Sequence, residues 1–150
     1  MAPLLSAEDI KMLGPLIRAT WAYFMVYYTF MIFQSFAKYY VFFSTKKKNE
    51  KSPSLREVKY EQKRGLALLA DRTFLNMLEQ SVPLITSTWL YGLVVDPTFA
   101  STLVYIYLFF RLPYPLLFKL GPPFIFLSTG PNYCVIGYAL VKTGLASLAA

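Results

Sequence analysis

Three strongly polar side chains, Arg72, Asn76 and Glu79, interrupt a stretch of sequence that is otherwise largely apolar. On a helix with about 100° per residue, all three lie within one narrow strip. A guanidinium, an amide and a carboxylate in this order suit a zwitterionic, peptide-like ligand, because they can bind its carboxylate, peptide group and amine. An ion-pair network between helices would use the same residues, and this helix alone leaves both interpretations open.

A second polar strip lies on the next apolar segment and contains Tyr107, Arg111, Tyr114 and Phe118. Arg111 is a candidate partner for the Glu79 carboxylate or a clamp for a ligand. Alternatively, its long side chain reaches the membrane interface and anchors the helix there with neighbouring tyrosines. The sequence leaves these roles for Arg111 open.

The composition predicts that both strips lie inside a membrane. Hydrophobic residues make up 56% of the chain and charged residues only 15%, whereas charged residues are about a quarter of a soluble protein. We therefore predict an integral membrane protein that contacts lipid. The absence of His excludes imidazole bases and ligands, and the single cysteine, Cys134, excludes an internal disulfide. No metal site is predicted.

Charge-free stretches and breaks predict the helices that hold these residues. The uncharged ranges 19–37 and 120–141 are each long enough to cross the bilayer, and Asp96-Pro97 separates two further spans because a residue before proline avoids the helical region. The predicted fold is all-α, a four-helix membrane bundle forming a single domain over 1–150. Its spans are predicted at 12–43, 65–95, 97–118 and 121–143.

The segment 44–64 is the hydrophilic part of the chain, with eight basic residues against three acidic ones. Basic loops stay on the cytosolic side of a membrane, or its matrix or stromal equivalent, which predicts that location for this loop. The charge could also attract anionic lipid headgroups or an acidic partner. Nucleic acid is not a predicted partner, since no binding motif accompanies the charge.

The spacing Arg72-x3-Asn76-x2-Glu79-x3-Pro83, after a basic first loop, resembles the MAPEG family of membrane-associated proteins in eicosanoid and glutathione metabolism. Arg111-x2-Tyr114 is a weaker match to a family pattern. The resemblance implies a homotrimer of four-helix subunits that holds glutathione between subunits near the cytosolic side.

The resemblance also implies site residues. Arg72, Asn76, Glu79 and Tyr114 would contact glutathione, and Lys38 would be the neighbouring subunit's basic contact for a glutathione carboxylate. An endoplasmic reticulum or mitochondrial membrane would be the location.

The chain departs from catalytic members of the family where the glutathione thiol is activated. Those members place an arginine beyond the third span to stabilise the thiolate, and this sequence has no arginine from Lys119 to its last residue. Phe118 stands where such members often keep a tyrosine. A thiol needs a positive neighbour to ionise at neutral pH, so Arg111 or Lys119 would have to supply the catalytic charge.

Two functions therefore remain open from the sequence. The first is a glutathione-dependent transferase or peroxidase that acts on lipophilic electrophiles. The second is a degenerate member that serves as an accessory subunit of a large membrane complex, such as a mitochondrial or other energy-converting assembly. A channel or transporter has less support, because the sequence contains no internal repeat or ring of pore residues.

Overall fold

The computed structural model of the protein describes residues 6–47, 56–57 and 65–149. Most of the basic segment 44–64 therefore lies outside the described residues. The helices are α1 (Ala7–Lys47), α2 (Gly65–Val94), α3 (Pro97–Arg111), α4 (Tyr114–Leu120) and α5 (Pro122–Ala149).

The first helix, α1, extends beyond the predicted range 12–43 at both ends. Ser6 and Asp9 form its N-terminal cap: the Ser6 hydroxyl accepts the Asp9 amide at 3.1 Å, and the Asp9 carboxylate accepts the Ser6 amide at 3.0 Å. This reciprocal cap satisfies backbone donors that a helix start leaves open. The 41 residues of α1 rise about 60 Å, twice the hydrocarbon thickness, so the helix projects from the bilayer.

The break between α2 and α3 lies at the predicted position. Asp96 caps α3 by accepting the amides of Thr98 at 2.7 Å and Phe99 at 3.1 Å, and Pro97 occupies the first turn, where its missing donor costs nothing. The third predicted span is divided into α3 and α4. Pro113 has no amide donor to continue the α3 ladder, so the chain turns at Leu112 and restarts at Tyr114.

The chain is an all-α membrane bundle, as predicted. Among the described residues, three segments are long and apolar enough to cross a bilayer: Ala7–Thr45, Pro97–Leu120 (α3 with α4) and Pro122–Ala149. The more polar α2 packs between them, against α1, α3 and α5, while α1 also packs against α3. The core formed by these contacts contains buried Leu16, Tyr23, Met77, Leu84, Val104, Tyr107 and Ile136.

Among the glycines of the described chain, Gly92 has the closest neighbours, which lie on α1 and α3. A Cβ atom there would lie 2.5 Å from Leu16 Cδ2 and 3.2 Å from the Ala100 Cβ. The absence of a side chain at Gly92 therefore allows α1, α2 and α3 to pack closely. This contact lies at the end of α2 away from the basic segment.

Candidate ligand-binding site

The Arg111 guanidinium lies at the centre of the polar residues in the bundle and is fully buried. Its Nη1 donates to Asn76 Oδ1, and its Nη2 donates to Gln80 Oε1 and, at 3.1 Å, to the Tyr107 hydroxyl. Asn76 and Gln80 are one turn apart on α2, so both amides face α3. Arg111 therefore joins α2 to α3 and does not reach out to the membrane interface.

Two aromatic rings enclose the same guanidinium. The Arg111 Cζ atom lies 5.3 Å from the ring centroids of both Tyr107 and Tyr114. A cation at this distance is attracted by the negative face of an aromatic ring. The side chains that contact the Arg111 guanidinium, Asn76, Gln80, Tyr107 and Tyr114, are all neutral, and the Arg111 Nε has no hydrogen-bond partner among the described residues.

The positions of Asn76 and Gln80 along α2 show how deep in the bundle the Arg111 contacts lie. Asp71, nearer the basic segment, accepts hydrogen bonds from Lys38 Nζ at 2.7 Å and from Gln34 Nε2 at 2.7 Å, which ties α1 to α2. Asn76 and Gln80 lie about 8 and 14 Å further along the helix axis, at 1.5 Å per residue. The contacts of Arg111 therefore lie deeper in the bundle than the partly exposed ion pair of Lys38 and Asp71.

Arg72 and Glu79 lie on the outer side of α2 and are exposed on the single chain, while Asn76 between them is half-buried. Neither Arg72 nor Glu79 forms a hydrogen bond or ion pair with another described residue. The buried Tyr114 phenol lies within electrostatic range of both, and also of Arg111. Tyr114 therefore contacts the buried cation and lies near the charged outer face of α2.

The two remaining candidates lie at the end of the bundle that carries the basic segment. Lys38 forms its ion pair with Asp71 of its own chain, and both side chains are about one-fifth exposed, at 19% and 21%. Lys119 is exposed and lines a separate recess of about 350 Å³ together with Gly65, Leu69 and Phe118. The structure brings Asn76 and Tyr114 into contact with Arg111. Arg72 and Glu79 lie on α2 beside this cluster, and Lys119 lies in the separate recess.

Sequence reasoning missed Gln80, Asp71 and Gln34. Gln80 is one helical turn after Asn76, so extending the polar strip by a turn would have found it. Gln34 precedes Lys38 by one turn, a spacing that places both on the same side of α1. Tyr23 is also fully buried, with a hydroxyl that has no partner among the described residues, and nothing in its sequence context indicates this.

Comparison with known proteins agrees with this arrangement of helices. The sequence profile of the MAPEG family matches residues 16–144. The chain belongs to the MAPEG family. The match covers α2, α3 and α4 completely, most of α1 and α5, and every site residue discussed above. No curated protein and no solved structure matches the chain.

Membership of the MAPEG family confirms the predicted all-α membrane bundle and its contact with lipid. The ligand, any activity and the roles of individual residues stay predictions.

Proposed function

We propose that this MAPEG protein binds glutathione on the outer face of α2. The observation that carries the proposal is the exposure of Arg72 and Glu79, two opposite charges on a helix packed within a membrane bundle. Charged groups at membrane depth are costly unless they face a partner, a cavity or water. A partner that covers both residues must therefore offer an anion to Arg72 and a cation to Glu79.

Glutathione has the complementary chemistry, because it carries carboxylates, peptide groups and one ammonium. One carboxylate would bind the Arg72 guanidinium and the Asn76 amide, and the ammonium would bind the Glu79 carboxylate. The charges around Tyr114, two guanidinium groups against one carboxylate, have a net value of +1. Glutathione with an intact thiol carries −1 at neutral pH, so binding neutralises the cluster.

A second copy of the chain would cover the rest of this face, as in a homotrimer with the ligand between subunits. Lys38, which Asp71 holds beside the start of this face, would supply a further cation near the ligand. The basic segment 44–64 would face the cytosol, or the matrix of a mitochondrion, and the site would open towards that side.

Catalysis by this site requires a group that stabilises the glutathione thiolate. In a transferase, the thiolate sulfur attacks an electrophilic carbon of the lipophilic substrate and forms a thioether, while the leaving group on that carbon departs with the electron pair of its bond. Arg111 is buried and already donates to two amides, and Lys119 lies in a different recess. We therefore favour glutathione binding over fast transferase or peroxidase turnover.

The second candidate function is an accessory subunit of a larger membrane complex. One observation favours it: between Leu112 and Ala149, the only basic residues are Lys119 and Lys142, and both are exposed at opposite ends of the segment. A site that lacks an activating cation could persist because its helices pack against other subunits. In this case Arg72 and Glu79 would form ion pairs with those subunits.

The test is calorimetric titration of glutathione into the purified chain in lipid nanodiscs. Replacing Glu79 by alanine removes the acceptor for the ammonium, and hydrogen bonds to charged groups contribute about 1.5–3 kcal/mol, so affinity should fall about ten- to a hundredfold. Glu8→Ala, an exposed acidic residue in the first turn of α1, is the control and should bind normally. Absence of glutathione binding by the unaltered chain would favour the accessory subunit.

Catalysis is tested separately in the glutathione-saturated chain. We expect little thiolate absorbance in the ultraviolet at neutral pH and slow turnover of small aromatic electrophiles. A strong thiolate signal with fast turnover would show that Arg111 or Lys119 performs the activating role.

A further inference from the structure

The contacts of Arg111 fix the orientation of two side-chain amides. A guanidinium has only donors, so the atoms that face it in Asn76 and Gln80 must be their oxygens. This assignment does not depend on distinguishing oxygen from nitrogen in an amide, because the opposite orientation would place two donors together. Asn76 therefore turns its oxygen inward, towards Arg111, and its Nδ2 away from Arg111.

The orientation of Asn76 determines what the site can offer to a ligand. Asn76 is half-buried, and Arg72 lies one turn before it on α2. Since Asn76 Oδ1 is already bound by Arg111, the free end of the amide is a donor. A ligand group that contacts Asn76 must therefore accept a hydrogen bond, and the nearby Arg72 guanidinium favours a negatively charged acceptor.

Gln80 keeps Arg111 in the position that orients Asn76. Gln80 is 2% exposed, and its Oε1 accepts from Nη2 while Asn76 accepts from Nη1. With both terminal nitrogens held by α2, the guanidinium cannot rotate away from Asn76. Without Gln80, the guanidinium would keep two hydrogen-bond acceptors among the described residues, Asn76 Oδ1 and the Tyr107 hydroxyl.

We propose that Gln80 is a positioning residue that makes the site selective for a carboxylate over a carboxamide at Asn76. Gln80 acts through Arg111, which holds Asn76 with its donor towards the ligand, and the ligand carboxylate is shared between Asn76 and Arg72. This inference rests on the proposed function, because the carboxylate is one of the two that glutathione carries.

The measurement is the ratio of the affinity for glutathione to the affinity for each of its two monoamides, in lipid nanodiscs. The unaltered chain should prefer glutathione over one monoamide by about tenfold or more, since the NH2 group of the carboxamide would face a donor, either Asn76 Nδ2 or the Arg72 guanidinium. Gln80→Met fills the same space but accepts nothing from Arg111. The Asn76 amide can then turn over, and the preference should fall several-fold.

Three further variants separate positioning from stability. Gln80→Glu still accepts from Arg111 and should keep the preference. Asn76→Asp offers only acceptors and should reverse the preference relative to the unaltered chain, because the monoamide can donate to it. Asn132→Met is the control: Asn132 is a fully buried amide on α5 without a hydrogen-bond partner among the described residues, and its replacement should leave the preference unchanged.

The outcomes distinguish this inference from the proposed function. Glutathione binding by the unaltered chain, with the same preference in Gln80→Met as in Gln80→Glu, would overturn the positioning role and leave the proposed function intact. An equal loss of preference in Gln80→Met and Asn132→Met would also overturn it, because general loosening of the bundle would then explain the effect. Absence of glutathione binding by the unaltered chain would overturn both.

Discussion

The two halves of α2 on either side of Pro83 differ in how many of their polar side chains bind to other helices. In the half that follows the basic segment, Asp71, Asn76 and Gln80 accept hydrogen bonds from α1 or α3. In the other half, the buried hydroxyls of Ser87 and Thr88 donate to the carbonyl of Leu84 in their own helix, at 3.1 and 2.8 Å, and the Trp89 indole donates to the Thr20 hydroxyl of α1 at 3.1 Å.

This difference separates the site from the scaffold. Polar groups that need partners on other helices bring those helices into one arrangement, and they leave donors and charges for a ligand. Polar groups satisfied within α2 leave its surface free to pack closely, as at Gly92. We therefore expect ligand affinity to depend mainly on the half before Pro83, and helix packing on the half after it.

The largest effect should come from leaving Arg111 without amide partners. The double variant Asn76→Leu, Gln80→Leu keeps α2 apolar but removes both acceptors from a fully buried cation. Removing the partners of a buried charge costs about 3–5 kcal/mol, so the free energy of unfolding should fall by about that amount. Reversible unfolding of the detergent-solubilised chain measures the change.

The matched control adds Arg111→Met to the double variant and so removes the charge itself. Much of the lost stability should return, since an apolar side chain replaces a buried cation among apolar neighbours. If the triple variant were as unstable as the double one, shape rather than charge would determine stability in this half of α2.

A smaller loss in the free energy of unfolding is expected from Gly92→Val, in the half of α2 after Pro83. The added Cβ would overlap Leu16 and approach Ala100, and overpacking of this kind costs about 1–3 kcal/mol. Glutathione affinity, measured in nanodiscs, should not change. Gly137→Val is the control, because a Cβ at Gly137 meets nothing within 4 Å in the described chain.

The comparison would be contradicted if Gly92→Val lowered affinity as strongly as it lowered stability. A second check uses Leu16→Ala, which removes the side chain nearest to the added group. In that background Gly92→Val should cost less than it does alone, because residues in contact do not have additive effects.

The sequence predicted the helices better than the contacts of the site, for physical reasons. The charge-free range 19–37 lies in α1, most of the range 120–141 lies in α5, and the Asp96-Pro97 break separates α2 from α3. These features depend on local chemistry. The role of Arg111 depends on which helix packs against α3. Its length and charge suit a surface anchor, a partner for Glu79 or a ligand clamp, so periodicity alone left these roles open. Gln80 was missed because it carries no charge and the polar strip was not extended one turn beyond Asn76.

The smallest effect is expected at Asp71, where the polar contact lies near the surface. Asp71→Asn removes the charge that attracts Lys38, but the amide oxygen can still accept a hydrogen bond from Gln34. Partly exposed ion pairs contribute about 1 kcal/mol or less, because water and salt screen them. The free energy of unfolding should therefore fall by no more than that. The loss should shrink further at high salt, as screening already weakens the pair in the unaltered chain. A salt-independent loss of several kcal/mol would mean that Lys38 and Asp71 are shielded from solvent like Arg111, and the contrast in depth between the two contacts would no longer hold.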